Sequence, residues 1–314
     1  MQKTAQTLKS SDNILILPHY NPDGDAIGSS RALFLALKSL GKRVRIETCG
    51  DIMEKLIPLI PQGEAFKEEL IVAIDTGSPD MLGSSAREKY GSRIDLVIDH
   101  HSTNPLYGAH NVVKGDYASC AEVVLELLDE MGVAITRDIA RSLYTSVVTD
   151  TGCFRHSNTT SDTHRRAARL MELAGDVSDI NYTFATEKNK ITMALEKRVL
   201  SNLLFFCEGR CAFSHITLAD FEDVGGTSSH AEDLKDIPRT VEGVIISAFF
   251  KETACCVWRV SVRTNKNLLD ASKVCLAFGG GGHFGAAACN VYGTLEEAQE
   301  KFKNAMIQTY GDTL

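Results

Sequence analysis

The sequence lacks the features that mark membrane, exported or fibrous proteins. Its apolar runs are only a few residues long, whereas a membrane-spanning helix needs about 20. The N-terminal residues MQKTAQTLKSSDN contain no apolar segment of signal-peptide length. No repeat occurs, and the only low-complexity tract is a run of four glycines. We therefore expect a cytoplasmic protein with no membrane partner.

The cysteine spacings that mark a zinc site are also missing. The nine cysteines include no Cys-x-x-Cys pair, since Cys207 and Cys211 are separated by three residues and Cys255 and Cys256 are adjacent. Neither spacing supplies the four ligands of a structural zinc site. We expect reduced thiols.

Positive charge is scarce. The sequence has 33 lysines and arginines and 41 acidic residues, which gives a net charge of −8. Holding long duplex DNA requires clustered cations that neutralise many phosphates, so the composition argues against that partner. What the chain does have is 314 residues, of which 44% are hydrophobic, as in an ordinary globular protein. A chain of this length favours two domains.

Short apolar runs alternate with amphipathic segments in the first half. The runs at 13–17 and 70–74 predict buried strands, and the periodic segments at 26–40 and 118–131 predict helices. Such alternation is typical of an α/β fold with a mostly parallel sheet flanked by helices.

The second half has a different pattern. Segment 186–205 predicts one long helix, and β-rich runs follow it. We therefore expect a first domain at 1–185, a helical linker at 186–205 and a smaller α/β domain at 206–314.

Acidic and histidine residues end four apolar runs of the first half. Ligands of open α/β sheets bind outside the carboxyl ends of the strands, so we expect these side chains to meet at one edge. Taken singly, each motif also fits a turn or a helix cap. Clustered carboxylates disfavour one another unless cations lie among them, and a donor set of Asp oxygens and His nitrogens suits Mn²⁺, Mg²⁺ or Fe²⁺. The residues are His19, Asp23 and Asp25, then Asp75, then Asp99, His100 and His101, and finally Asp150.

These motifs carry a family resemblance. HYNPDGDAIGS at 19–29, the Asp75 motif, DHH at 99–101 and TDTGCF at 149–154 resemble the four motifs of the DHH phosphoesterase superfamily. Two later segments, SVRT at 261–264 and FGGGGH at 278–283, resemble its DHHA1 domain. The ordered set spans nearly the whole chain and is most similar to the nano-RNase/pAp phosphatase (NrnA-like) subfamily.

The resemblance implies a role for each matched residue of the first domain. Two divalent ions, usually Mn²⁺ in this family, would be bound. His101 would face the scissile phosphate, and Asp99 would orient a neighbouring histidine. The implied ligands are His19 and Asp23 for one ion, Asp25, His100 and Asp150 for the other, and Asp75 for both.

The same resemblance gives the second domain a substrate-binding role. Glycines allow the backbone N–H groups to approach an anion, and the guanidinium of Arg263 matches a phosphate group. The family pattern has a glycine at the position of Ala288, which leaves the local backbone geometry open. The glycine-rich residues concerned are Gly280, Gly281, Gly282 and His283.

The expected reaction is hydrolysis of short single-stranded oligonucleotides to nucleoside 5′-monophosphates, of the bisphosphate pAp to AMP, or of both. Two alternatives stay open. One is a pyrophosphatase- or exopolyphosphatase-like hydrolase, which would carry a motif rich in lysine and arginine near the C-terminus. The other is a cyclic-dinucleotide phosphodiesterase or nucleotide sensor. The sequence leaves both a monomer and a homodimer open.

Overall fold

The structure is a computed structural model that describes residues 1–265 and 268–314, apart from the side chains of His283 and Asp312. The chain forms two compact units, Met1–Glu187 and Lys188–Leu314. Among the described residues, no helix is long and apolar enough to cross a membrane.

The first unit is built on a parallel sheet whose strand order is β2-β1-β3-β4-β5. All residues of the central strand β3 are buried, because helices cover both faces of the sheet. The predicted parallel α/β sheet is confirmed. The strands are β1 (Asn13–Pro18), β2 (Arg43–Ile46), β3 (Leu70–Ile74), β4 (Leu96–Asp99) and β5 (His110–Val113).

Alternate residues of the strands β1, β3 and β4 enter two separate apolar layers. Ile14 and Ile16 of β1 pack in one layer with the apolar sides of most helices, whereas Leu15 and Leu17 pack in the other with α3. This is the period of two that a strand imposes. The helices are α1 (Gln2–Ser10), α2 (Gly24–Ser39), α3 (Gly83–Tyr90), α4 (Cys120–Glu130), α5 (Arg137–Asp150), α6 (Ser161–Ala174) and α7 (Ser178–Ala185).

The second unit contains a mixed sheet in the order β10-β11-β9-β8-β7-β6, in which only the described pair β7–β8 is parallel. Its core includes the clustered rings of Phe213, Phe250 and Phe302. The elements are α8 (Lys190–Ser201), β6 (Leu204–Phe206), β7 (Cys211–Ile216), α9 (Leu218–Val224), β8 (Ile246–Ala254), β9 (Val257–Thr264), α10 (Ala271–Leu276), β10 (Gly281–His283), β11 (Ala286–Tyr292) and α11 (Leu295–Tyr310).

The single helix predicted over 186–205 is wrong at both ends. Helix α8 begins at Lys190, after Asn189 caps it by accepting a hydrogen bond from Thr192 N at 2.7 Å. It ends at Ser201, and the apolar residues that follow pair with β7 as strand β6. Leu195 and Val199 of α8 are fully buried in a core cluster of the second unit.

Candidate metal centre

The first unit brings the predicted carboxylates and histidines together at the carboxyl edge of its sheet. Three strands and two helices supply them, because each residue lies at or close to one end of its element. They are His19 after β1, Asp23 and Asp25 around the start of α2, Asp75 after β3, Asp99 at the end of β4 with His100 and His101 after it, and Asp150 at the end of α5.

Three overlapping sets of these side chains each offer ligand atoms within 4.8 Å of one another. Asp75 belongs to two of the sets, so it lies where they meet. The sets are His19, Asp23 and Asp75; Asp25, His100 and Asp150; and Asp75, His100 and His101.

Backbone carbonyl groups fix the orientation of two histidines. Nδ1 of His19 donates to the carbonyl oxygen of Tyr20 at 2.9 Å, and Nδ1 of His100 donates to that of Tyr117 at 3.1 Å. A carbonyl only accepts, so both rings carry the proton on Nδ1 and present Nε2 as the free ligand atom. Nε2 of His100 lies 3.5 Å from Asp75 Oδ1.

Local helix geometry holds the first two carboxylates. Asp23 caps α2 by accepting hydrogen bonds from the backbone N–H groups of Asp25 and Ala26 at 3.0 and 3.1 Å. Asp25 is buried and accepts from Cys120 N and Ala121 N at 2.8 and 3.3 Å, at the N-terminus of α4. The positive end of that helix favours the charged carboxylate.

The electrostatics of the cluster call for positive charge. Burial, and then repulsion from Asp75 and Asp150, raises the pKa of Asp25 well above its ordinary value. Burial raises the pKa of Asp150 to about 7; attraction to His100 opposes this shift, and repulsion from Asp75 and Asp23 adds to it. Burial alone would lower the pKa of His100, but Asp75, Asp25 and Asp150 raise it to about 11.

Asp75 provides a direct test of fit for a metal ion. Its carboxylate is buried, and Oδ1 has no hydrogen-bond partner within the described part of the chain. An unpartnered buried carboxylate oxygen is costly unless a cation satisfies it. The donor set of aspartate oxygens and imidazole nitrogens therefore fits divalent metal ions.

His101 is held differently from His100. Its Nδ1 donates to Asp99 Oδ1 at 2.7 Å, and this hydrogen bond is the main cause of a raised His101 pKa. Asp99 is fully buried and also accepts from Asn104 Nδ2 at 2.6 Å. With Nδ1 engaged, Nε2 is the atom of this partly exposed ring that remains for chemistry.

The second unit gathers its predicted residues around a cavity of ≈ 400 Å³. Arg263, Gly281 and Gly282 line it, together with cationic residues that sequence reasoning missed or set aside, Lys235, Lys251 and Arg259. Arg263 Nε also donates to Asp236 Oδ1 at 3.2 Å. Gly280 is not among the lining residues.

The backbone at Ala288 is regular. Gly281 pairs with Ala288 across β10 and β11, so the alanine in place of the family glycine sits in an ordinary strand. A Cβ at Gly280 would lie 2.3 Å from the Ala288 carbonyl oxygen, which explains the need for glycine there. The side chain of His283 lies outside the described structure.

Sequence reasoning also missed residues that support the ligands of the first unit. Asn158 Nδ2 donates to the carbonyl oxygens of Ala118 and Asp150 at 3.0 and 3.2 Å, and so fixes the end of α5. Asn104 bonds the Thr76 carbonyl as well as Asp99. Both residues lie in loops, and their side chains bond largely to backbone carbonyls of other residues. No sequence pattern therefore predicts their roles.

Comparisons with known proteins agree with the geometry. Residues 13–147 match the DHH family, N-terminal domain. The Thermus thermophilus protein named bifunctional oligoribonuclease and PAP phosphatase NrnA is 32% identical over 98% of this chain and 93% of its own length. The Bacillus subtilis protein of the same name is 26% identical over 91% of this chain and 92% of its own length. The crystal structure of an exopolyphosphatase-related protein from Bacteroides fragilis, 23% identical, has the same fold, with a TM-score of 0.86 over 98% of this chain and 95% of that one. This chain therefore belongs to the DHH family of phosphoesterases.

Proposed function

We propose that this protein hydrolyses short oligoribonucleotides to nucleoside 5′-monophosphates and pAp to AMP, with two divalent metal ions. Six donor side chains gather in overlapping sets, and one of them, Asp75, has a buried and unpartnered Oδ1; this observation carries the proposal. The names of the NrnA relatives support the choice of substrates.

The two ions would share the donors as the overlapping sets indicate. One set provides a site from His19, Asp23 and Asp75, and another provides a site from Asp25, His100 and Asp150. Asp75 would also serve the second site, a role supported by its Oδ1, which lies 3.5 Å from His100 Nε2. Mn²⁺ is the ion we propose. When bound, such ions lower the pKa of water and neutralise charge on a phosphoryl group.

His101 would serve the leaving group. As water adds to phosphorus, the bond from phosphorus to the leaving oxygen breaks, and that oxygen needs a proton. Nε2 of the doubly protonated His101 ring would supply it, while the proton lost by the attacking water passes to solvent. The role is supported by Asp99, which accepts from Nδ1, fixes the ring and raises the His101 pKa. Asp99 is then a positioning residue for this step.

In our proposal, residues 1–185 carry the catalytic role and residues 206–314 carry the substrate-binding role. The cavity of the second unit supports this division, since its lysines and arginines suit phosphate groups. Arg263, Gly281 and Gly282 would hold a phosphate that is not cleaved. We include Gly280 and His283 in this segment by family resemblance.

The test is an activity panel with Mn²⁺ over pAp, RNA of two to five nucleotides, a much longer RNA, cyclic di-AMP and pyrophosphate. We expect turnover of pAp and the short RNAs, abolished by chelation and restored by Mn²⁺. Turnover of pyrophosphate alone would contradict the proposal.

The Asp75→Asn variant tests the metal assignment. Loss of the shared carboxylate should lower both the Mn²⁺ bound, measured by elemental analysis, and the rate. The matched control is Asp138→Asn, because Asp138 is exposed and lies at the far end of the helix that carries Asp150. Normal metal content and near wild-type turnover in Asp75→Asn would rule out the dinuclear site.

A further inference from the structure

Tyr20 is a large aromatic residue left half exposed directly beside the metal centre. It follows His19, whose Nδ1 donates to the Tyr20 carbonyl oxygen at 2.9 Å, and its relative exposure is 50%. A single exposed aromatic residue is ordinary on a protein surface. Tyr20 differs because the surrounding backbone is shaped to its ring.

Two glycines in the left-handed conformation contact one side of this ring. A Cβ on Gly50 (φ 85°) would lie 2.9 Å from Cε2 and Cζ of Tyr20, and a Cβ on Gly83 (φ 76°) would lie 2.7 Å from Cδ2. Any larger residue at either position would displace the ring. The backbone N–H of Tyr20 also donates to the Met81 carbonyl at 2.6 Å. The ring is therefore held in place on one side and open to solvent elsewhere.

Segment 77–83 joins the surroundings of Tyr20 to those of His101. It begins two residues after Asp75, and a Cβ on Gly77 would lie 3.0 Å from His101 Cγ and 3.3 Å from Met81 Sδ. Since the Met81 carbonyl accepts the Tyr20 N–H, His101 and Tyr20 flank the same short segment. Tyr20 is thus separated by one short segment from the histidine that we assign to phosphate cleavage.

We propose that Tyr20 stacks on a nucleobase of the substrate, next to the phosphate that is cleaved. This inference rests on the proposed function and narrows it to substrates that carry a base. A fixed, half-exposed ring suits this task because every base offers a π-face and stacking tolerates any sequence. Inorganic pyrophosphate and polyphosphate have no ring to stack.

The test compares an intact dinucleotide with two analogues that each lack one base, in wild type, Tyr20→Phe and Tyr20→Ala with Mn²⁺. Wild type and Tyr20→Phe should cleave the intact dinucleotide with a kcat/KM about 5- to 150-fold above that of one abasic analogue. Tyr20→Ala should lose most of this preference. A dinucleotide carrying 2-aminopurine, whose fluorescence falls on stacking, should be quenched by wild type and not by Tyr20→Ala.

The control is Tyr182→Ala, which removes another exposed tyrosine of the first unit and should change neither rate. An equal fall on intact and abasic substrates in Tyr20→Ala, with quenching retained, would overturn the stacking role and leave Tyr20 as a support for His19. If wild type cleaves no oligonucleotide, the proposed function fails and the stacking inference falls with it.

Discussion

Replacing Asp99 by asparagine tests the catalytic arrangement most directly. Both oxygens of this buried carboxylate accept hydrogen bonds, Oδ1 from His101 Nδ1 at 2.7 Å and Oδ2 from Asn104 Nδ2 at 2.6 Å. An amide of the same shape has one accepting atom and one donating atom. One of the two contacts must therefore fail in Asp99→Asn.

The neighbours of Asn104 decide which contact fails. Its Nδ2 also donates to the Thr76 carbonyl at 3.2 Å, and its Oδ1 accepts from Leu106 N at 2.8 Å, so this amide cannot turn over without losing both bonds. The new amide oxygen must face Asn104, and its NH₂ group must face His101. Nδ1 of His101 can then only accept, so the ring loses the carboxylate that stabilises its protonated, proton-donating form. We expect kcat to fall by about 10²- to 10⁴-fold, the usual contribution of a positioned acid or base.

The assay is kcat on pAp at saturating Mn²⁺, with metal content measured by elemental analysis, in Asp99→Asn, His101→Ala and the double variant. If Asp99 acts only through His101, the double variant is no slower than His101→Ala alone, because effects within one unit do not add. Metal content should stay normal in all three. Falls that multiply in the double variant, or metal lost from His101→Ala, would refute the assignment.

Two further predictions concern binding and packing. Arg263→Ala should lower kcat/KM for pAp and dinucleotides. It should spare bis-p-nitrophenyl phosphate, because this diester has no second phosphate to hold. An equal fall in kcat/KM on the nucleotides and on the diester would make Arg263 a structural residue. Gly28→Ala should lower the free energy of unfolding by about 1–3 kcal/mol in denaturant titrations, because its Cβ would lie 2.4 Å from Ser146 Oγ and 2.5 Å from the Ser142 carbonyl where α2 meets α5. Gly285→Ala, with open space around the added Cβ, is the matched control and should change stability far less.

The donors of the candidate metal centre could be predicted because each one lies at or near a boundary of an element that the sequence marks clearly. An apolar run predicts a buried strand, and parallel strands bring their carboxyl ends to one edge. The partners of those donors could not be predicted in the same way. His19 and His100 are oriented by the carbonyls of Tyr20 and Tyr117, and Asp25 by the N–H groups that open α4. Backbone groups occur at every residue, so only the folded chain shows which of them are used.

The cationic cavity of the second unit shows a second limit on what could be predicted from the sequence. Lys251 lies opposite Arg259 across β8 and β9, and Lys235 comes from a short helical turn between strands. Cross-strand register and the position of such a turn depend on the whole sheet, so the alternation in VWRVSVR revealed the arginine face but not its neighbours. The prediction that one helix continues to residue 205 was wrong for a related reason. Apolar spacing continued past Ser201, and pairing with β7 made the following residues a strand.

Asp75 links the backbone to the chemistry. It has φ 52°, in the left-handed region that costs most residues roughly 1–2 kcal/mol and that aspartate and asparagine adopt most readily. Its N–H donates to the Ile98 carbonyl at 2.9 Å, which holds the residue at the end of β3 while the carboxylate turns among the histidines. Asparagine would meet the backbone requirement equally well and would reduce the repulsion that raises the pKa of Asp25. It has a single carbonyl oxygen, whereas a shared ligand needs two charged ones. Loss of metal in Asp75→Asn would therefore report the loss of the carboxylate that we propose as the shared ligand, because neither backbone strain nor charge repulsion is made worse by the change.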